Sequence, residues 1–71
     1  MATQTIDIVL NGESRQVQAG LDVAGLLERL GLDRRLVVVE HNREILPREK
    51  LSDVKVRSGD VLEVVHFVGG G

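Results

Sequence analysis

The 71-residue chain has no cysteine, no tryptophan and no tyrosine, and only one proline (Pro47) and one phenylalanine (Phe67). Without cysteine there can be no disulfide, no thiolate metal site and no thiol nucleophile, so packing alone must hold the core. A single aromatic ring is too few for the stacking platforms that grip single-stranded nucleic acid. Seven arginines and two lysines are interleaved with eleven acids, giving a net charge of −2, so no basic footprint exists for phosphate backbones or anionic membranes. The longest aliphatic run, Leu36 to Val39, is far short of a membrane span. Met1-Ala2-Thr3-Gln4-Thr5 lacks the basic and apolar regions of a signal peptide. The chain therefore reads as soluble, cytoplasmic and monomeric on its own. Its length allows one domain and no two-lobed enzyme cleft.

What is present is a series of strand patterns with one helix pattern among them. Ile6, Ile8 and Leu10 share one face at period two, which predicts a half-buried strand. Asn11-Gly12 follows, suited to a tight turn whose two central residues both need positive φ. Glu13 to Gln18 reads as the returning strand. Asp22 can cap a helix over 22–31, in which Val23, Leu26, Leu27 and Leu30 form one apolar stripe. Gly31 suits a left-handed C-terminal position, and Gly25 is expected either to let the helix lie close to a sheet or to be a tolerated weak spot. Leu36-Val37-Val38-Val39 reads either as a central strand covered on both faces or as one whose second face awaits a partner. Asn42-Arg43 can turn the chain into a short strand, Glu44-Ile45-Leu46. Pro47 suits the first position of a helical turn covering Arg48 to Ser52. Leu51 and Val54 are expected to anchor that segment. Ser58-Gly59-Asp60 is a turn, Val61 to Val68 the last strand, and Gly69-Gly70-Gly71 a tail.

One helix with about five strands predicts a two-layer α+β domain, and the order hairpin, crossover helix, strand is that of the β-grasp (ubiquitin-like) fold. The domain is expected over 1–68, with 69–71 as a flexible tail. If Leu62 and Val64 point inward, Val65 and Phe67 face outward on an uncovered sheet face and become the candidate docking residues.

No internal catalytic set can be assembled. His41, Glu40 and Glu44 show no recognised metal-ligand spacing, and His41 is expected on a solvated hairpin with His66 at a strand edge. Neither a GxGxxG nor a GxxxxGK pattern is present, so no phosphate-cradling loop is expected. The remaining candidate is the C-terminus. Each residue extends at most about 3.6 Å, so Val68 to Gly71 can project a carboxylate roughly 13–14 Å beyond the fold. Lacking Cβ atoms, such a tail can thread a narrow channel in another protein.

Val38-Val39-Glu40-His41-Asn42-Arg43-Glu44-Ile45-Leu46-Pro47-Arg48, followed by Gly59-Asp60-Val61-Leu62-Glu63-Val64-Val65-His66-Phe67-Val68-Gly69-Gly70-Gly71, resembles the ThiS family, the sulfur carriers of thiamine biosynthesis. Asn11-Gly12 and the Val23/Leu26/Leu27 helix fit as well. The resemblance implies a carrier rather than an enzyme, with no metal and no bound cofactor. Gly71 would be adenylated by a ThiF-type adenylyltransferase using ATP and Mg²⁺, then converted to a thiocarboxylate with sulfur from a donor such as a cysteine desulfurase. Thiazole synthase (ThiG) would receive that sulfur. Gly69 and Gly70 would give access, and Val65 and Phe67 docking. The small subunit of molybdopterin synthase, or another ubiquitin-like carrier or protein modifier, is the alternative.

Overall fold

The computed structural model of the chain describes residues 4–67. Strands β1 (Thr5–Leu10) and β2 (Glu13–Gln18) form the expected hairpin, followed by helix α1 (Val23–Arg29). Strands β3 (Val37–His41), β4 (Glu44–Leu46) and β5 (Val61–His66) complete one sheet in the order β2-β1-β5-β3-β4. β1 and β5 run parallel and the other neighbours antiparallel, so this is the β-grasp arrangement, with the last strand of the described residues at the sheet's centre. Short 3₁₀ turns lie at Arg34–Leu36 and Arg48–Lys50.

The turn chemistry explains the hairpins. Asn11 and Gly12 take φ of 50° and 80°, as a tight turn with right-handed strand twist requires. Asn42 and Arg43 take 49° and 72° between β3 and β4, so the second hairpin holds the same left-handed pair without a glycine.

Helix α1 has seven residues, too few to persist alone in water. Tertiary bonds to its first turn offset that. Asp22 is the N-cap, and its side chain accepts from the Gly25 N–H. The Val23 and Ala24 N–H groups donate to the Val54 and Leu51 carbonyls at 2.9 and 3.0 Å. The 51–56 segment thus satisfies helix donors that would otherwise need water. Gly31, just past the helix, has φ 73°, as expected for a left-handed terminator.

The core holds Ile8, Leu10, Val23, Leu26, Leu27, Val37, Val39, Leu51, Val56, Leu62 and Val64, with Ile6, Val17, Leu30 and Val54 half-buried around it. The predicted helical stripe and the inward Leu62/Val64 alternation are both present.

Three expectations change, and of the two readings of the Val37 to Val39 strand the one with an uncovered second face holds. Gly25 does not serve close approach to the sheet: a Cβ there would meet Asp22 Oδ1 at 3.2 Å and Leu21 Cδ2 at 3.4 Å, so the missing side chain leaves room for the helix cap. Leu36 is not in the strand but ends a 3₁₀ turn with its side chain exposed, while its carbonyl accepts from the Phe67 N–H at 2.9 Å. β3 is an interior strand, yet only Val37 and Val39 are covered, and the sheet face bearing Val38 carries no helix. Pro47 precedes the 3₁₀ turn as its N-cap rather than occupying its first residue, and that turn ends at Lys50 rather than Ser52. β5 is described through His66, while Val68 and the tail residues Gly69, Gly70 and Gly71 lie outside the described residues.

Candidate functional site: the open sheet face and the Asp60 knot

Burial along β5 alternates from Val61 to Val65: Leu62 and Val64 are inside while Val61, Glu63 and Val65 are outside, with exposed Phe67 just after the strand. Val65 is 61% exposed and Phe67 52%, both on the stretch of chain leading to the C-terminus. Registry extends this surface across the sheet. Val65 sits opposite Val38, and Glu63 opposite Glu40, which in turn sits opposite Ile45 of β4. Ile45 is 68% exposed. Exposed apolar side chains gathered on an uncovered sheet face mark a surface built to meet another molecule.

Glu40 and Glu63 interrupt that surface with like charges placed directly across the strands, an arrangement that costs stability. Among the described residues no salt bridge neutralises either carboxylate. The face therefore combines apolar area with two uncompensated negative charges.

A second cluster lies at the start of β5. Asp60 is buried, and its carboxylate accepts from three donors: His41 Nε2–H at 2.8 Å, the Arg57 backbone N–H at 2.9 Å and Asn42 Nδ2 at 3.2 Å. Asn42 closes the loop, its Oδ1 accepting from the Val61 N–H and its own N–H donating to the Val61 carbonyl. The Asp60 carbonyl accepts from the Val9 N–H, so one residue ties β1, the β3–β4 turn and β5 together. Burial works to raise the Asp60 carboxyl, but the bonds from Arg57, His41 and Asn42 outweigh it and hold the group below the usual carboxylate range.

This overturns the expected position of His41. Its ring is not in a solvated hairpin but mostly buried against the Asp60 carboxylate, to which it is hydrogen-bonded. Glu40 lies on the opposite sheet face and Glu44 is exposed, so the three groups considered as a metal or acid–base site do not converge. Among the described residues no group of three or more His, Cys, Asp or Glu could hold a metal ion. His66 is exposed at the end of its strand, as expected. A cavity of about 560 Å³ beside α1 has Asp22, Glu28, Arg34 and Ser52 among its walls and presents no nucleophile with a base. No helix of the described residues is long and apolar enough to cross a membrane.

A depressed carboxyl contributes stability that is present above its unfolded pKa, about 3.9, and lost as pH falls through that value toward the lower folded one. Asp60→Asn should therefore lower unfolding free energy at pH 7 by about 1.5–3 kcal/mol, the usual worth of hydrogen bonds to a charged group. Its deficit relative to the parent protein should shrink below about pH 4, where Asp60 of the unfolded parent takes up a proton. Urea titrations at the two pH values measure this. A deficit independent of pH would show that the carboxylate's charge is not what ties the knot.

The family model that matches this chain is that of the ThiS family, and it matches residues 8–71. The chain belongs to the ThiS family. It is 43% identical over 49 residues to the sulfur carrier protein ThiS of Bacillus subtilis, covering 69% of this chain and 74% of that protein. The crystal structure of ThiS, a thiamine biosynthesis protein from Geobacter metallireducens, superposes with a TM-score of 0.80 at 35% identity, covering 93% of this chain and all of that one. The chain is also 48% identical over 64 residues to a thiazole synthase of Paramagnetospirillum magneticum. There it covers 90% of this chain but 20% of that protein, so the chain spans about a fifth of the length of the thiazole synthases it matches. The ThiS match runs through Gly69, Gly70 and Gly71 and includes the whole open face and the Asp60 knot.

Proposed function

We propose that the chain is a sulfur carrier for the thiazole moiety of thiamine and that Gly71 bears the sulfur as a C-terminal thiocarboxylate. The observation that carries this reading is the ThiS match running through Gly71. An α-carboxyl has a pKa of about 3.3–3.7, so it is ionised at neutral pH and resists nucleophiles. A ThiF-type adenylyltransferase removes that obstacle. With ATP and Mg²⁺ it joins the Gly71 carboxylate to AMP and releases pyrophosphate. A persulfide, formed by a donor such as a cysteine desulfurase, then attacks the acyl carbon and displaces AMP. Reduction of the resulting S–S bond by a thiol leaves the thiocarboxylate.

The acceptor is a thiazole synthase, and the relatives bearing that name contain a segment similar to this chain within a longer protein. Gly69 and Gly70 give the carboxylate access to the partner's active site. Val65 and Phe67 dock the carrier, and the Glu40/Glu63 pair favours a partner with a cation amid its apolar contact.

Intact mass spectrometry of the protein drawn from cells tests loading and docking together. The parent protein should carry, on its C-terminal peptide, the mass gained when sulfur replaces one oxygen, and should co-purify with thiazole synthase rather than with a large molybdopterin synthase subunit. Phe67→Asp should leave the melting temperature unchanged, because the side chain is half exposed, yet remain largely unloaded. Full loading of Phe67→Asp would remove the docking role. Absence of the sulfur species from parent protein in cells that are making thiamine would remove the carrier reading.

A further inference from the structure

The central strand is not paired along its whole length. The Phe67 N–H turns toward β3, where it donates to the Leu36 carbonyl, so alternation turns the backbone groups of Leu62, Val64 and His66 toward β1. β1 pairs with β5 only at Val61 and Leu62 and then ends. Beyond it, the Asn11 N–H donates to the Leu62 carbonyl, and the Asn11 side-chain amide stands in for the next peptide group. Its Oδ1 accepts from the Val64 N–H at 2.8 Å, and its Nδ2 donates to the Val64 carbonyl at 3.3 Å. The following place on that edge belongs to His66, whose N–H and C=O have no partner among the described residues.

A groove of about 220 Å³ lies beside this place, lined by Leu30, Leu32 and Val64, with Arg15, Asn11 and His66 among its other walls. The walls include a cation and no carboxylate. Other sheet edges are less receptive. The outer edge of β2 carries mostly polar and charged side chains, and β4 has three residues followed directly by Pro47. Both are features that blunt an edge.

We infer that the vacancy beside His66 takes an extended, acidic segment of a partner protein, added in line with β1. The His66 N–H and C=O pair with the segment's backbone, an apolar side chain settles over Leu30, Leu32 and Val64, and a carboxylate meets Arg15. This site is separate from the Val65/Phe67 face and does not depend on sulfur at Gly71.

The test is a nuclear magnetic resonance titration of the full chain with an end-blocked pentapeptide of alternating valine and glutamate, and with its valine–lysine counterpart. The acidic peptide should shift the His66 amide, the Asn11 side-chain amide and the Leu30 and Leu32 methyls saturably by about 1 mM. The basic one should bind at least tenfold more weakly, and Arg15→Glu should reverse that order. Protein made by chemical synthesis with the His66 amide N-methylated should lose at least fivefold in affinity for the acidic peptide, because a strand bond is removed while every side chain is kept. Shifts centred on Val65 and Phe67, no saturation, or equal affinity after N-methylation would each overturn the inference. The sulfur state of Gly71, read separately by mass, is untouched by any of these outcomes.

Discussion

Gly70→Val should lower adenylation of Gly71, measured as ATP–pyrophosphate exchange with the ThiF-type partner, by about 100-fold or more. The substitution keeps chain length and charge. It adds a β-branched side chain that narrows the accessible backbone conformations next to the reacting carboxylate. It also thickens the chain where an active-site channel must admit it. Misplacing a reacting group by about 1 Å is enough for a loss of this order. The sheet, the helix and every buried residue named above lie within 4–67, so the melting temperature should not change. Deleting Gly71 is the weaker variant, since Gly70 then offers a new carboxylate about 3.5 Å short of the reaction centre. Normal exchange with Gly70→Val, or with a C-terminal amide at Gly71, would sink the thiocarboxylate mechanism for this chain.

The second large effect is on stability. Leu26→Ala should cost about 2–5 kcal/mol, combining lost burial with the cavity left behind. At roughly 0.05–0.15 kcal/mol per residue the whole domain has about 4–10 kcal/mol, so the loss is a large share of its stability. Leu26 is 1% exposed and lies on the only face α1 turns to the sheet. The loss should also spread. The α1 donors at Val23 and Ala24 are bonded to Val54 and Leu51, so loosening the helix releases the 51–56 segment as well. Leu36→Ala is the control, because that side chain is 54% exposed and should change stability by less than about 0.5 kcal/mol. An unfolding free energy for Leu26→Ala, extrapolated from urea titration, within about 1 kcal/mol of the parent would mean that α1 does not close this core.

The two open-face residues, Val65 and Phe67, were legible in the sequence because strand alternation alone decides them once Leu62 and Val64 are taken as inward. The Glu40/Glu63 opposition was not. Each carboxylate looks like an ordinary outward polar residue on its own strand, and only the β3–β5 register sets one against the other. The same holds for Gly25. Its position within the helix was plain, but its reason is the Asp22 cap folded back over it, which spacing does not reveal.

Asn11-Gly12, the Val23/Leu26/Leu27/Leu30 stripe, Gly31 and the Gly59-Asp60 turn were determined by the sequence itself, because φ preference and hydrophobic period act between residues a few positions apart. The ThiS resemblance was carried by the sequence in the same way, as a pattern of residues along the chain. Tertiary structure alone decided that Asn11 is more than a turn residue, since its amide bonds Val64 from 53 positions away. It alone decided that His41 is hydrogen-bonded to Asp60, which lies 19 positions on. It also left the His66 edge vacant, by ending β1 before β5 ends. Each of these depends on where the sheet brings distant backbone together. A polar side chain's partner is chosen by that placement, whereas its local backbone conformation is chosen by its neighbours in the chain.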